Sequence, residues 1–159
     1  NIEEVAERHF SGVEVQLCSV HLQREICNRV RPKDKRAISS KLSEVFRKND
    51  PKRTVEDGVK DFSKFAKEWH EHYPFLSKIA DGERIYYYFT YLKYDVVVRR
   101  YIHSTNWIER FNRQIKKGAT YKCAFPSVDS ALHLVGSIAL NSSYLGRRIG
   151  DLIGGLKKL

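Results

Sequence analysis

Period-two alternation of apolar and polar residues occurs convincingly in one short stretch of the chain, VEVQLC at positions 13–18. Val13, Val15 and Leu17 alternate there with Glu14 and Gln16, which is the pattern of a half-buried strand. Most of the remaining chain has helical spacing instead. The sequence therefore predicts one strand followed by a long block of helices, a mostly α-helical chain that is not a complete α/β domain.

Turn and capping residues divide the helical block. Helices are predicted over 20–30, which Arg31-Pro32 ends, over 33–47, and over 54–71 with Thr54 as its cap. A shorter helix is expected over 95–102. A last helix capped by Ser127 is expected to bury a set of apolar side chains. These are Leu132, Val135, Ile138 and Ala139.

The segment IYYYFTYLKY, at 85–94, carries aromatic and β-branched residues that favour a strand, yet it lies among helices. It is predicted to be helical. Its aromatic side chains could stack on nucleic-acid bases. A buried core with tyrosine hydroxyls at its edge is the favoured interpretation for Phe89 and at least two of the tyrosines.

The charge of the chain points to a polyanionic partner. Among 159 residues, 29 Lys and Arg stand against 19 Asp and Glu, a formal net charge of +10. Such a surplus indicates nucleic acid or an acidic membrane, although solubility alone could also explain it. No apolar run approaches the length of a spanning helix and no signal peptide is visible, so nucleic acid is the expected partner and the cytoplasm the expected compartment.

Two further features bear on the state of the chain. The three cysteines, Cys18, Cys27 and Cys123, are too few and too irregular for a disulfide framework, and reduced thiols are expected. The chain begins at Asn1 and contains no Met. It is therefore predicted to be a fragment of a longer protein, holding only part of a site.

One helix combines many cations with a single carboxylate. In HSTNWIERFNRQIKKG, at 103–118, Glu109 is the one acidic residue among several basic residues. Asn106 and Glu109 have the spacing of a capping box, which would explain the acid structurally. Alternatively, the carboxylate shares a divalent cation such as Mg²⁺ with a phosphodiester. A lone Glu cannot form a two-metal site, and no convincing partner carboxylate is present in this chain.

Helical geometry places the charged and apolar residues of this helix on different sides. At 3.6 residues per turn, Glu109, Asn112, Arg113 and Lys116 share one side. Ile108, Phe111 and Ile115 fall on another side and are expected to pack against the rest of the domain.

The pair Cys18 and His21 has the spacing of half a zinc site. The other half is absent, so structural zinc is not expected. The favoured interpretation is a small buried thiol at the end of the strand and a hydrogen-bonded histidine at the following turn.

Three segments together carry a family resemblance. VQLCSVHLQR (15–24), YIHSTNWIERFNRQIKK (101–117) and AFPSVDSALHLV (124–135) resemble the C-terminal half of the mutator-type transposases of bacterial insertion sequences. This family is of the DDE class, with an RNase H-like catalytic core. The similarity covers roughly positions 10–145. Its most specific parts are Cys18-x₂-His21 and the Thr-Asn-x-Ile-Glu motif that ends at Glu109.

The resemblance implies a fold and a division of the chain. It identifies the chain as a mostly α fragment of an α/β RNase H-like domain. Residues 1–32 would be a late strand and helix of the core, and 33–92 a helical insertion. Residues 93–145 would be the C-terminal helices that carry the Glu motif, and 146–159 a loosely ordered tail.

The resemblance also implies a function, namely metal-dependent DNA cleavage and strand transfer during transposition. Glu109 would be the third catalytic acid and a ligand of Mg²⁺ or Mn²⁺, while the two aspartates precede this chain. DNA at the element ends and target is the implied partner, in a homo-oligomer, and the fragment alone is expected to be inactive. Contacts to DNA or to the acid are expected from five residues of the same helix. These are Arg110, Asn112, Arg113, Lys116 and Lys117.

Two other functions remain open. A non-catalytic helical module that binds nucleic acid explains the charge and the aromatic residues equally well, and it differs in making Glu109 dispensable. A zinc-stabilised interaction domain built around Cys18 and His21 is the third possibility.

Overall fold

The structure, a computed structural model, describes residues 2–142, apart from the side chains of Ile2, Glu3, Ala6, Glu7 and Trp107. The described residues form α-helices and two short 3₁₀-helices, so the mostly helical fold is confirmed. The tail expected over 146–159 lies outside the described residues. The chain divides into two compact units, residues 1–104 (unit 1) and residues 105–159 (unit 2).

Unit 1 contains six α-helices, which confirm the predicted helices at 20–30, 33–47, 54–71 and 95–102. Pro32 follows the helix predicted at 20–30 and is itself the first residue of the next helix. This position suits a proline, because a proline at the first helical position loses no intrahelical hydrogen bond. In chain order the helices are α1 (Ile2–His9), α2 (Ser19–Arg29), α3 (Pro32–Val45), α4 (Val55–Glu68), α5 (Phe75–Ala80), the 3₁₀-helices Glu83–Tyr88 and Thr90–Lys93, and α6 (Val96–Ile102).

Two contacts define the centre of the unit 1 core. The rings of Phe46 and Phe89 stack with their centroids 4.9 Å apart, and both side chains are buried. Gly58 of α4 lies directly under Phe89, so close that a Cβ there would come within 2.4 Å of the ring. Helix α4 is fixed at its start by Thr54, whose Oγ1 accepts the Asp57 N–H at 3.2 Å while the Asp57 carboxylate accepts the Thr54 N–H at 3.0 Å.

The strand predicted at 13–18 is wrong for the described part of the chain. These residues form neither helix nor strand, and no described segment pairs with them as a strand. This segment is hydrogen-bonded instead to the 3₁₀ region. The Leu17 N–H donates to the Tyr87 carbonyl at 2.8 Å. The Gln16 amide donates to the Tyr88 carbonyl at 3.2 Å and accepts the Tyr91 N–H at 2.6 Å. The Gln16 side-chain amide thus makes hydrogen bonds to the backbone that a neighbouring strand would otherwise make.

The segment at 85–94 is neither a strand nor an α-helix. It forms most of two 3₁₀-helices, Glu83–Tyr88 and Thr90–Lys93, separated at Phe89. Phe89 and Tyr91 are fully buried, which confirms the core interpretation for these two residues, whereas Tyr86 is 51% exposed. Burial raises the pKa of the Tyr91 hydroxyl to about 12.

Arg99 is a buried structural residue of unit 1. Its guanidinium donates to the carbonyl oxygens of Tyr94 at 2.7 Å, Asp50 at 2.6 Å and Leu92 at 2.9 Å. Hydrogen bonds to three carbonyls compensate for the removal of the charge from water. Arg99 therefore joins α6 to the loop after α3 and to the second 3₁₀-helix.

In its described part, unit 2 is a pair of helices, α7 (Asn106–Lys122) and α8 (Val128–Asn141). Ser127 caps α8 as predicted, accepting the Ser130 N–H at 3.2 Å. The helices approach closely at Gly118, where a Cβ would lie 3.3 Å from side-chain carbons of both Leu134 and Ile138. The predicted burial of Leu132 is wrong, since this side chain is 61% exposed and the contact with α7 is made by the neighbouring face of α8.

No helix in the described part of the chain is long and apolar enough to cross a membrane.

Candidate functional site

Helix α7 begins one residue earlier than the predicted capping box requires. Asn106 is the first helical residue and Thr105 is the cap residue, which makes no side-chain bond to the helix backbone. Glu109 is thus the fourth helical residue, and its N–H donates to the Thr105 carbonyl at 2.9 Å. Asn106 is therefore not the cap, because a capping box needs the acid at the third helical position.

The Glu109 carboxylate is instead positioned by Thr105. The Thr105 hydroxyl donates to Glu109 Oε1 at 2.8 Å, and both residues are half-buried. A hydrogen bond from a hydroxyl to a carboxylate restricts the rotamers of the acid and stabilises its charge. The four-residue spacing of Thr and Glu was the available sequence signal for this contact, which the capping-box interpretation overlooked.

The predicted DNA contacts of α7 are all exposed. Beside Glu109, the helix carries the exposed side chains of Arg110, Asn112, Arg113, Lys116 and Lys117. With 100° per residue, they lie within a half-circle centred near Glu109, on the opposite side of α7 from Gly118, which contacts α8. We call these five side chains together with Glu109 the α7 basic face.

Most of the α7 basic face has no partner inside the described residues. Asn112, Arg113, Lys116 and Lys117 make no side-chain hydrogen bond or ion pair there, so Arg113 does not pair with Glu109 one turn before it. Their donors are available to an anion that lies along about 8 Å of helix, the length from Asn112 to Lys117.

The apolar side of α7 differs in one residue from the prediction. Phe111 and Ile115 are half-buried, in agreement with the expected packing. Ile108 is 60% exposed, so its predicted packing is wrong. It lies one residue before Glu109 and between the two sides of the helix, beyond the reach of the α8 contact at Gly118.

Cys18 and His21 lie at the start of α2 in unit 1. Cys18 is the residue before the helix and is half-buried, while His21 is exposed in the first turn. The Cys18 thiol and one ring nitrogen of His21 are within 4.8 Å of each other. Two such ligands can share one metal ion, although a structural zinc site requires four.

A family model for transposases of the Mutator family matches residues 2–145, which is most of the chain.

The chain belongs to the Mutator family of transposases.

Three curated relatives agree with this Mutator assignment. The chain is similar to the transposase for insertion sequence element IS1201 of Lactobacillus helveticus, with 29% identity over 79% of this chain and 33% of the relative. It is 28% identical to the transposase for ISRM3 of Rhizobium meliloti over 87% of this chain and 34% of that protein. It is 23% identical to the transposase for IS905 of Lactococcus lactis over 81% of this chain and 32% of that protein.

The Mutator chain described here spans about one third of the length of these relatives. No solved structure matches it. The family assignment therefore rests on the sequence, and the arrangement of α7 and of unit 1 comes from this structure.

Proposed function

We propose that this chain supplies the glutamate-bearing part of a transposase that cuts and joins DNA, with Glu109 as a ligand of a divalent metal ion. Its α7 basic face would hold the DNA backbone on either side of the reacting phosphate. The observation that carries this proposal is one half-buried carboxylate, fixed by Thr105, on an exposed helix face that is otherwise cationic. The Mutator family assignment supports it.

The residues present fit one part of a metal site. Glu109 offers a hard oxygen ligand of the type that Mg²⁺ and Mn²⁺ accept, and its positioning by Thr105 is typical of a ligand held by a neighbouring group. The other acid among the described residues of unit 2 is Asp129, in the first turn of α8. The remaining carboxylates of a two-metal site would come from elsewhere in the full-length protein.

Each residue of the site would have a separate role. Glu109 would bind the cation, which when present stabilises charge on the attacking and leaving oxygens of a phosphodiester. Arg113 and Asn112, one turn further along α7, would orient the acid or contact the phosphate beside it. Exposed cations at Arg110, Lys116 and Lys117 would contact the backbone and so position DNA without reading its sequence.

The RNase H-like fold is part of the same proposal. Residues 13–18 would become a late strand of the sheet when the rest of the catalytic domain is present, and the helices of 33–92 would be an insertion. The alternation of Val13, Val15 and Leu17 with polar residues supports this assignment. The full-length protein would act as a homo-oligomer on element ends and target DNA, with Mg²⁺ or Mn²⁺, and the present chain alone would be inactive.

The test uses the full-length transposase on labelled DNA of an element end, with Mg²⁺ or Mn²⁺. Glu109→Gln is expected to reduce cleavage by about a thousandfold or more, since several kcal/mol of charge stabilisation are lost, while DNA binding survives. Asp129→Asn, an equal change of charge on α8, is the matched control and is expected to cleave normally.

The same experiment separates the alternative function. A non-catalytic nucleic-acid module is supported by the exposed cations of α7 alone and does not need the carboxylate. If Glu109→Gln and Asp129→Asn bind and cleave equally, the catalytic assignment of Glu109 is wrong and the α7 basic face is a binding surface.

A further inference from the structure

A polar cavity of about 400 Å³ lies in unit 1, beside the first half of α2 and the C-terminal end of α3. Its polar lining includes Gln23, Ser43, His103 and the segment 47–49, which follows α3. Among the described residues, Arg47 and Lys48 line this cavity and no aspartate or glutamate does. The cavity is therefore positively charged and rich in hydrogen-bond donors.

Lys48 is held in this cavity by a neutral group. Its ammonium lies 3.1 Å from His103 Nε2, and His103 Nδ1 lies 3.1 Å from the Arg99 carbonyl. Because a carbonyl only accepts, Nδ1 carries the proton and Nε2 accepts from the ammonium. Burial, and then the charge of Lys48, lower the pKa of His103, so the ring is uncharged at neutral pH. The half-buried Lys48 is thus positioned without losing its charge to a carboxylate.

The second cation of the cavity is only weakly held. One Arg47 nitrogen is 3.6 Å from Asp61 Oδ2, but that oxygen already binds the buried Arg53 at 2.8 Å. The other contact of Arg47 is a long hydrogen bond of 3.5 Å to the Glu44 carbonyl. A guanidinium with such contacts can turn toward an anion at little cost.

A neighbouring cavity of unit 1 differs from this one because carboxylates contribute to its lining. It has a volume of about 140 Å³, and its charged lining consists of Lys41, Arg47 and Lys64 together with Glu44, Asp61 and Glu68, so Arg47 borders both cavities. The three carboxylates there balance the three cations and disfavour an anion relative to the cavity around Lys48. The absence of acid from the described lining around Lys48 is therefore a local property and not a consequence of the overall charge of the chain.

We propose that the cavity around Lys48 binds a phosphate group of the DNA backbone, with Lys48 as the main charged contact and Arg47 and Asn49 as further donors. This inference rests on the proposed function, because DNA is the proposed substrate. Phosphate oxygens only accept hydrogen bonds, which matches a cavity whose charged groups only donate. Asn49 is exposed, and its side chain makes no hydrogen bond to another described residue, so its amide is available. The segment 47–49 belongs to the helical insertion, and the site is separate in sequence from the α7 basic face.

The test measures binding of the whole chain to a labelled DNA duplex by fluorescence anisotropy, in EDTA and over a range of salt concentrations. Lys48→Gln is expected to weaken binding several-fold at low salt, equally for unrelated sequences, and to reduce the slope of log Kd against log salt by about 1. Lys48→Arg is expected to keep the slope. Lys64→Gln, the same change in the neighbouring cavity where carboxylates balance the cations, is the matched control and is expected to bind like the wild type.

Two outcomes would overturn the proposal. One is an equal salt slope for Lys48→Gln and Lys64→Gln, with thermal unfolding showing that both are folded. The other is binding of inorganic phosphate that depends on Lys48 while DNA binding does not, since the site would then take free phosphate. EDTA removes any metal-dependent step, so the result is independent of Glu109. If Glu109→Gln loses cleavage and Lys48→Gln keeps the wild-type salt slope, the phosphate site is rejected and the catalytic role stands. If Glu109→Gln cleaves normally and Lys48→Gln has a reduced salt slope, the catalytic role is rejected and the phosphate site stands.

Discussion

Thr105 is the residue whose role depends most directly on one contact, the 2.8 Å hydrogen bond from its hydroxyl to Glu109 Oε1. Thr105→Val removes the donor and keeps the size of the side chain. With Glu109 as the proposed metal ligand, we expect it to lower kcat for cleavage by about 10- to 100-fold, the usual cost of losing a group that orients such a ligand. KM for DNA should stay nearly constant, because the cations of the α7 basic face are untouched.

Metal dependence separates this positioning role from a purely structural one. In the full-length transposase, Thr105→Val is expected to need a higher Mn²⁺ concentration for half-maximal cleavage, and Thr105→Ser is expected to restore the wild-type value. A variant that loses activity at every metal concentration in parallel, with no rescue by Ser, would show that Thr105 only stabilises the start of α7.

The side of α7 on which a residue lies was predictable from sequence, because it depends only on the helical period. The period of α7 correctly places Glu109, Asn112, Arg113 and Lys116 on one exposed side. The buried role of Arg99 could not be predicted this way, because its carbonyl partners come partly from Asp50, far away in the sequence. An arginine in a basic stretch resembles a phosphate contact until the tertiary structure supplies those carbonyls.

At the scale of elements, the contact between α4 and the 3₁₀ region depends on Gly58. A Cβ there would lie 2.4 Å from the ring of Phe89, which is itself stacked on Phe46. Alanine favours the helix by up to about 1 kcal/mol, but overpacking costs about 1–3 kcal/mol. We expect Gly58→Ala to reduce the free energy of unfolding by about 1–2 kcal/mol, measured by urea denaturation.

The control for this prediction is a helical glycine that lies in open space. Gly136 of α8 has nothing within 4 Å of an added Cβ. Gly136→Ala is therefore expected to cause no loss of stability. Equal effects of the two substitutions would contradict the packing argument and leave only helix propensity.

Helices with local caps were predictable, and the segments without them were not. Thr54 with Asp57 and Ser127 with Ser130 define helix starts by contacts within four residues, which sequence patterns capture. The segment 13–18 and the 3₁₀ region instead bond to each other across about seventy residues through the Gln16 amide. Alternation at 13–18 predicts a strand, but a strand needs a partner segment, which the period of one segment does not reveal.

At the scale of the whole chain, apolar burial is distributed unevenly between the two units. Among the described residues, all apolar side chains of the buried core lie in unit 1, between Leu22 and Leu92. In unit 2, α8 has no buried residue, and Val128 and Leu140 are 76% and 90% exposed. A helical pair with so little burial cannot offset the conformational entropy of folding by itself.

The two units are therefore expected to differ when each is produced alone. Residues 1–104 should unfold cooperatively on heating, followed by circular dichroism, and Phe62→Ala should lower the midpoint because a fully buried ring is worth about 3–5 kcal/mol. The described part of unit 2, residues 105–142, should show weak helicity and no cooperative transition when produced alone, since short helices without tertiary packing are marginal in water. A cooperative transition in 105–142 would mean that contact between α7 and α8 is sufficient for folding.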